Sequence, residues 1–198
     1  VIAVVDSGVA NLTSVMAALG RIGIEAEVTS DPARIKKAAR VILPGVGAAG
    51  AAMTHLKNKG LVEILCTLTK PVLGICLGMQ LLFACSQEGK EPVECLGVFP
   101  GDVRALQPTP QTPVPHMGWN QIMPVKADNP LLRGVEGGSY VYFVHSYAAP
   151  VGDTTIATTD YNGQFAAMTA RGNFFGCQFH PERSGVVGSR ILENFMRV

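Results

Sequence analysis

The sequence predicts an α/β fold: a parallel sheet flanked by helices, with an antiparallel β extension in the second half. The first half alternates short β-branched runs with helical segments, a pattern that builds parallel strands joined by right-handed crossovers. The second half replaces those helices with short strand segments separated by turn signals. A chain of 198 residues, 47% hydrophobic and 16% charged, can bury a large core without metal or disulfide staples, so a single domain over 1–198 is expected.

The elements follow in order. Val1–Val5 is a continuous apolar run of strand length, as in a parallel strand buried on both faces. Asn11 is placed to cap a helix reaching about Ile22, with Leu12, Val15, Met16 and Leu19 on one face. Glu25–Thr29 forms a second strand. Asp31-Pro32 supplies a cap followed by proline at the first helical position. Val41–Leu43 forms a third strand, ending at Pro44-Gly45-Val46-Gly47. Helices are expected over Ala48–Asn58 and Leu61–Thr69, then a strand Val72–Ile75 running into Cys76, then a buried helix Leu77–Ala84. The stretch 107–115 holds four prolines in nine residues and cannot be a helix or a central strand. Strands are expected at Gln121–Val125, Tyr140–His145, Thr154–Thr159, Phe165–Ala170 and Phe174–Gln178, with Asn162-Gly163 as a type I′ hairpin turn. A helix over Gly188–Val198 closes the chain, and Gln87–Pro115 matches no motif.

Composition excludes several classes. Net charge is +1 with Lys and Arg scattered, which argues against nucleic acid as a partner. No basic amphipathic stretch or long apolar run points to a membrane; Val41–Met53 is interrupted by Pro44 and three glycines. The five cysteines (66, 76, 85, 95 and 177) are odd in number and widely spaced, so neither a disulfide framework nor a zinc site is expected. With no signal-peptide pattern in VIAVVDSG, the expected compartment is the cytoplasm.

The chemistry centres on Gly74-Ile75-Cys76-Leu77-Gly78, the cysteine version of G-x-S-x-G, set between a strand and a helix as a nucleophile elbow requires. A thiol at a helix N-terminus is favoured as thiolate. A buried core cysteine is the alternative. His180-Pro181-Glu182 puts an imidazole and a carboxylate just past a strand end, where residues of a parallel sheet converge; alone, it would read as a surface turn. Of the other histidines, His55 is expected on a solvated helix face and His145 in the core, with His116 open between structural and interface roles. Gln80 lies one helical turn beyond Cys76. Trp119, just after the proline-rich loop, is either an exposed interface residue or a core residue.

Gly-Ile-Cys-Leu-Gly-Met-Gln at 74–80 and Gln-Phe-His-Pro-Glu at 178–182 resemble the two signatures of the class I (triad) glutamine amidotransferases. Pro44–Gly47, Pro115–Asn120, Tyr142–Tyr147 and His180–Gly185 are further similar to one branch of that family, the glutaminase subunits of imidazole glycerol phosphate synthase. The resemblance implies a flavodoxin-like sheet and a Cys76–His180–Glu182 triad. It also implies contacts to L-glutamine from Gly47, Gln80, Glu88 and the Ser146-Tyr147 backbone, and an oxyanion site made by the backbone N–H of Leu77 and of the Pro44–Gly47 loop at Val46. The implied partner is a (βα)8-barrel cyclase subunit in a heterodimer, receiving the ammonia for histidine biosynthesis. No metal or organic cofactor is implied. Three readings compete: an amidotransferase subunit for a different synthase, a catalytically idle flavodoxin-like binding module, and a cysteine hydrolase or chaperone with a similar elbow. The last draws an acidic residue from the first strand, where this chain has Asp6 at the start of a small-residue turn.

Overall fold

The structure, a computed structural model, describes residues 1–8 and 10–198. The parallel part comprises β1 (Ile2–Val5), α1 (Leu12–Arg21), β2 (Ala26–Thr29), α2 (Pro32–Lys37), β3 (Arg40–Gly45), α3 (Ala49–Asn58), α4 (Val62–Thr67), β4 (Val72–Cys76) and α5 (Leu77–Leu81). Then follow β5 (Phe83–Ser86), β6 (Val93–Glu94), β7 (Phe99–Ala105), β8 (His116–Pro124), β9 (Ser139–His145), β10 (Tyr147–Ala148), β11 (Thr155–Asp160), β12 (Gln164–Arg171), β13 (Phe174–Cys177) and α6 (Gly185–Phe195). The expected caps form: Asn11 Oδ1 accepts from the Ser14 N–H, and Asp31 Oδ1 accepts from the Ala33 N–H at 2.8 Å.

One nine-stranded sheet runs β2-β1-β3-β4-β13-β12-β11-β8-β9. Its first five strands are parallel, in the flavodoxin-like order 2-1-3-4-5. From β12 onward the pairing is antiparallel, so the extension read from the sequence continues the same sheet. Alternate residues of the parallel strands feed two cores. Ile2, Val4, Ile42, Leu73 and Ile75 pack with α1 and α6 on one side, while Ala3, Val5, Val41, Leu43 and Val72 pack with α3 and α4 on the other. Burial on both faces is why these strands read as unbroken apolar runs.

Three expectations need correction. The buried helix predicted over Leu77–Ala84 ends at Leu81, and Phe83–Ser86 turns into β5. The motif-free region supplies two strands, β6 and β7, of a second, four-stranded sheet, β10-β7-β5-β6. Phe83 and Phe99 anchor it in the α3–α4 core with rings 5.3 Å apart. An apolar run too short for its helix and strand readings to be separated by period caused the first miss. The proline-rich loop forms no strand, as expected, and the β11–β12 turn clamps it: Tyr161 donates from its hydroxyl to Pro113 O, and Asn162 from Nδ2 to Gln107 O. Asn162 and Gly163 both take positive φ, but Asp160 pairs with Gln164, so the connection is the three-residue loop Tyr161-Asn162-Gly163 and not the two-residue type I′ turn expected.

Candidate active site

The carboxyl ends of β3, β4 and β13 converge on Cys76. This residue ends β4 and opens α5 with φ 53° and ψ −113°, and only one other described non-glycine residue, Asn162, has positive φ. Such strain persists only where the surroundings impose it. Here they are the two glycines of the pentapeptide. A Cβ on Gly78 would fall 1.7 Å from the carbonyl oxygen of Leu43, and one on Gly74 would fall 2.7 Å from backbone atoms of Gly78 and Met79. Only glycine lets α5 approach β3 and β4 closely enough to fold the chain back at Cys76.

His180 and Glu182 lie behind the thiol. Glu182 sits in the 3-10 turn Pro181–Arg183, and its Oε1 accepts from His180 Nδ1 at 2.7 Å with both side chains almost fully buried. The turn is pinned to the outer edge of β9. The His180 N–H donates to Tyr142 O at 2.9 Å, the Tyr142 N–H donates to Ser184 Oγ, and Ser184 Oγ donates to His180 O. Arg21 further ties the Glu182 carbonyl to α1. Burial works against a charged imidazole, but the Cys76 sulfur, as thiolate, and the Glu182 carboxylate outweigh it and raise His180 from 6.5 to about 10. The sulfur acts without a well-formed bond, since His180 Nε2 is buried with no hydrogen-bond partner among the described residues.

In front of Cys76 lies a cavity of about 260 Å³, lined by Val46, Gly47, Leu77, Gln80, Glu88 and residues 144–147 among others. All the residues expected to contact substrate or oxyanion therefore share one cavity with Cys76. His180 and Glu182 do not line it. They border a crevice of about 10 Å³ on the far side, with Asn11, Val15 and Pro44. Gly45 aligns with Cys76 in the β3–β4 register, and a Cβ there would sit 3.0 Å from Leu77 Cβ, so its role is close approach. Gly47, with φ 84°, carries the conformational freedom of that loop.

The polar residues are tied before any ligand arrives. Glu88 accepts from the Ala49 N–H at the start of α3, at 2.7 Å. Gln80 is buried, and its Nε2 donates to Tyr147 O at 2.8 Å and to Gln178 Oε1 at 2.9 Å. His145 is buried as expected. His116 takes the structural option: it is buried and stacked on Tyr161 and Phe143. His55 departs from its expected solvated position, since Gly8 packs against its ring and its Nε2 is buried, with no partner among the described residues. Sequence reasoning passed over Gln178, whose amide lies 3.7 Å from the thiol. Its two-residue spacing from His180, on one side of an extended chain, was the available signal.

Trp119 is 56% exposed, which decides against the core. It projects from the β8–β9 hairpin with Met117, Met123 and Tyr140, all exposed, and packs edge-on against Tyr142. This apolar face adjoins the cavity through Val144, which pairs with Met117. Among the described residues no helix is long and apolar enough to cross a membrane.

A strained cysteine at a strand–helix elbow, with a buried His–Glu pair and a polar-lined cavity beside it, is the arrangement that a thiol-dependent hydrolase of amides or esters requires. The family profile of the class-I glutamine amidotransferases matches residues 3–198, and the chain belongs to that family. Among its relatives, the protein of Shewanella loihica named imidazole glycerol phosphate synthase subunit HisH is 51% identical over 203 residues, covering 98% of this chain and 89% of the relative. Proteins of the same name from Xylella fastidiosa (strain Temecula1) and Xanthomonas euvesicatoria are 51% and 52% identical, each covering all of this chain and 97% of the relative. A crystal structure of a glutamine amidotransferase superposes with TM-score 0.76 at 18% identity, covering 100% of this chain and 97% of that one. The structure of PurLQS from Thermotoga maritima gives TM-score 0.74 at 18% identity, over 99% of this chain and 97% of that one. Both show the shared fold.

Proposed function

We propose that this chain hydrolyses glutamine to glutamate and ammonia as the glutaminase subunit of an imidazole glycerol phosphate synthase, supplying nitrogen for histidine biosynthesis. The observation that carries the chemistry is the strained Cys76 at the cavity wall with the buried His180–Glu182 pair behind it. The choice of synthase rests on relatives of about half identity that span nearly the whole chain.

In this reading Cys76 attacks the side-chain carboxamide of glutamine. A His180 held in its charged form has a proton ready for the departing ammonia, and its unpartnered Nε2 is the atom to deliver it. The resulting thioester is hydrolysed by water that His180, now neutral, activates; Glu182 fixes the ring through Nδ1. The backbone N–H groups of Leu77 and Val46 are the donors for the tetrahedral oxyanion, where one donor is worth roughly 2.7–4 kcal/mol. Gly47, Gln80, Glu88, Ser146 and Tyr147 line the space for the amino-acid end of the substrate. The partner is a (βα)8-barrel cyclase in a heterodimer, docking on the exposed Met117–Trp119–Tyr140 face beside the cavity, where ammonia can pass without escaping to solvent.

The test is glutamate release from glutamine, with and without the cyclase subunit and its substrate. Stimulation by the cyclase supports the reading. Equal stimulation by the synthase of another nitrogen-transfer pathway would reassign the partner, and no hydrolysis under any condition would favour the idle binding module.

A further inference from the structure

An unbroken line of polar contacts runs from the outward-facing hairpin to the nucleophile. Asn120 Nδ2 contacts His116 Nε2 at 3.2 Å, His116 Nδ1 contacts His145 Nε2 at 2.8 Å, and His145 Nδ1 contacts Tyr147 O at 2.8 Å. The same carbonyl accepts from Gln80 Nε2, which also donates to Gln178 Oε1. Gln178 Nε2 then points at Cys76 Sγ, 3.7 Å away. Gln80, Gln178, His116 and His145 are each at most 6% exposed.

The donor directions along this line are fixed by chemistry. A carbonyl only accepts, so His145 carries its proton on Nδ1 and presents a bare Nε2. That lone pair requires a proton on His116 Nδ1, so His116 Nε2 is bare and accepts from the Asn120 amide. Burial lowers His145 to about 3 and His116 to about 4, which keeps both rings neutral and this order intact. On the other side, Tyr147 O takes one Gln80 hydrogen and Gln178 Oε1 takes the second. Turning the Gln178 amide over would set its NH2 against the NH2 of Gln80 and its oxygen against sulfur. The network therefore dictates that Gln178 offers a donor to Cys76.

The second contact of the thiol sharpens the consequence. Cys76 Sγ lies 3.8 Å from Val144 O, a contact that a neutral thiol can make by donating and a thiolate cannot make at all. The Gln178 amide hydrogen has the opposite preference, because hydrogen bonds to charged acceptors are the stronger ones.

We propose that Gln178 stabilises the Cys76 thiolate by hydrogen bonding, that Gln80 is the positioning residue that aims its amide, and that Asn120, His116 and His145 act one step further out by holding the Tyr147 carbonyl to which Gln80 is bonded. The inference rests on Cys76 being the nucleophile of the reaction proposed above. Besides Gln178, the groups bearing on the sulfur are the Val144 carbonyl, His180 and Cys177 of β13, none of which the test alters.

The experiment is the rate at which iodoacetamide alkylates Cys76 at pH 7, read by mass spectrometry on the full chain in complex with its cyclase, with unfolding temperature recorded alongside. Gln178→Met keeps the side-chain length and removes the donor, and its alkylation should slow about tenfold or more, the factor a hydrogen bond to a charged group supplies. His116→Phe retains a ring between Tyr161 and Phe143 while deleting both relay bonds, and should slow alkylation about threefold. His116→Gln, which keeps one donor and one acceptor, should return most of that loss. A lower unfolding temperature with an unchanged rate in Gln178→Met overturns the thiolate role. A wild-type rate in His116→Phe overturns the relay, and that pair of His116 variants decides the matter if Gln178→Met does not fold. Failure of wild-type Cys76 to alkylate would instead remove the nucleophile assignment itself.

Discussion

Replacing Gly78 by alanine asks whether the elbow depends on backbone contact. The added Cβ would lie 1.7 Å from the Leu43 carbonyl oxygen and 2.7 Å from its carbon, where ordinary contact begins at 3.4 Å. The obstacle is main chain of a central strand, so no rotamer change relieves it, and the first separation must double. Overpacking a core typically costs about 1–3 kcal/mol, and a main-chain clash belongs at the upper end. For a chain of this size, about 3 kcal/mol lowers the unfolding temperature by roughly 6–12 °C. The movement also separates the start of α5, which carries the Leu77 N–H, from β3, which leads into Val46 and Gly47. A misplacement of about 1 Å can slow an enzyme by ~100-fold, so glutamine hydrolysis should fall at least that far. Gly20→Ala is the control. Its Cβ meets nothing within 4 Å inside α1, and it should stabilise by about 0.5–1 kcal/mol with activity unchanged. Thermal unfolding and glutamate release measure both variants. A Gly78→Ala protein within about 2 °C of wild type and fully active would refute the close-approach argument.

Cys76→Ser should abolish glutamine hydrolysis and leave cyclase binding intact. A glutamine-like electrophile should label Cys76 alone, since it is the one cysteine on the cavity wall and burial raises the Cys66, Cys95 and Cys177 thiols; labelling at Cys66 or Cys85 with Cys76 untouched would contradict this. His180→Asn should lower turnover by several orders of magnitude and Glu182→Gln by less, because the carboxylate orients the ring and transfers no proton; equal losses would give Glu182 a larger part. Acid should weaken the fold through His116 and His145. Both bind protons less readily folded than unfolded, so their contribution is complete above about pH 6.5 and is lost as pH falls toward 4 and 3, at about 1.4 kcal/mol per pH unit for each ring. His180 shifts the other way: its contribution is complete below about pH 6.5, where it adds little to that slope, and is lost as pH rises toward 10. Urea unfolding at about pH 4 and pH 6, below that window, measures the difference, and His116→Phe should flatten it. Trp119→Ala should reduce the coupling of glutamine use to cyclase turnover while leaving the unfolding temperature within about 2 °C, as expected of a half-exposed ring. Full coupling in that variant would move the docking face elsewhere.

The sequence by itself determined the parallel half of the fold, because strands buried on both faces must read as apolar runs and helix starts must be capped. Val1–Val5, Asn11, Asp31-Pro32 and Val72–Cys76 each carried that local signal. The elbow was legible for the same reason, since a sharp strand–helix turn needs Gly74 and Gly78 beside Cys76. Tertiary structure decided what depends on distant partners. The switch from helix to β5 after Leu81 follows from pairing with β7, whose residues lie beyond a loop and carry no periodic pattern strong enough to announce it. The exposure of Trp119 follows from its pairing with Tyr142 on the outward side of the hairpin. The donor direction of the Gln178 amide depends on the Tyr147 carbonyl and the Gln80 amide, which lie in other segments of the chain. Local propensity acts over a few residues, whereas a hydrogen-bond network is defined only once the chain has closed around it.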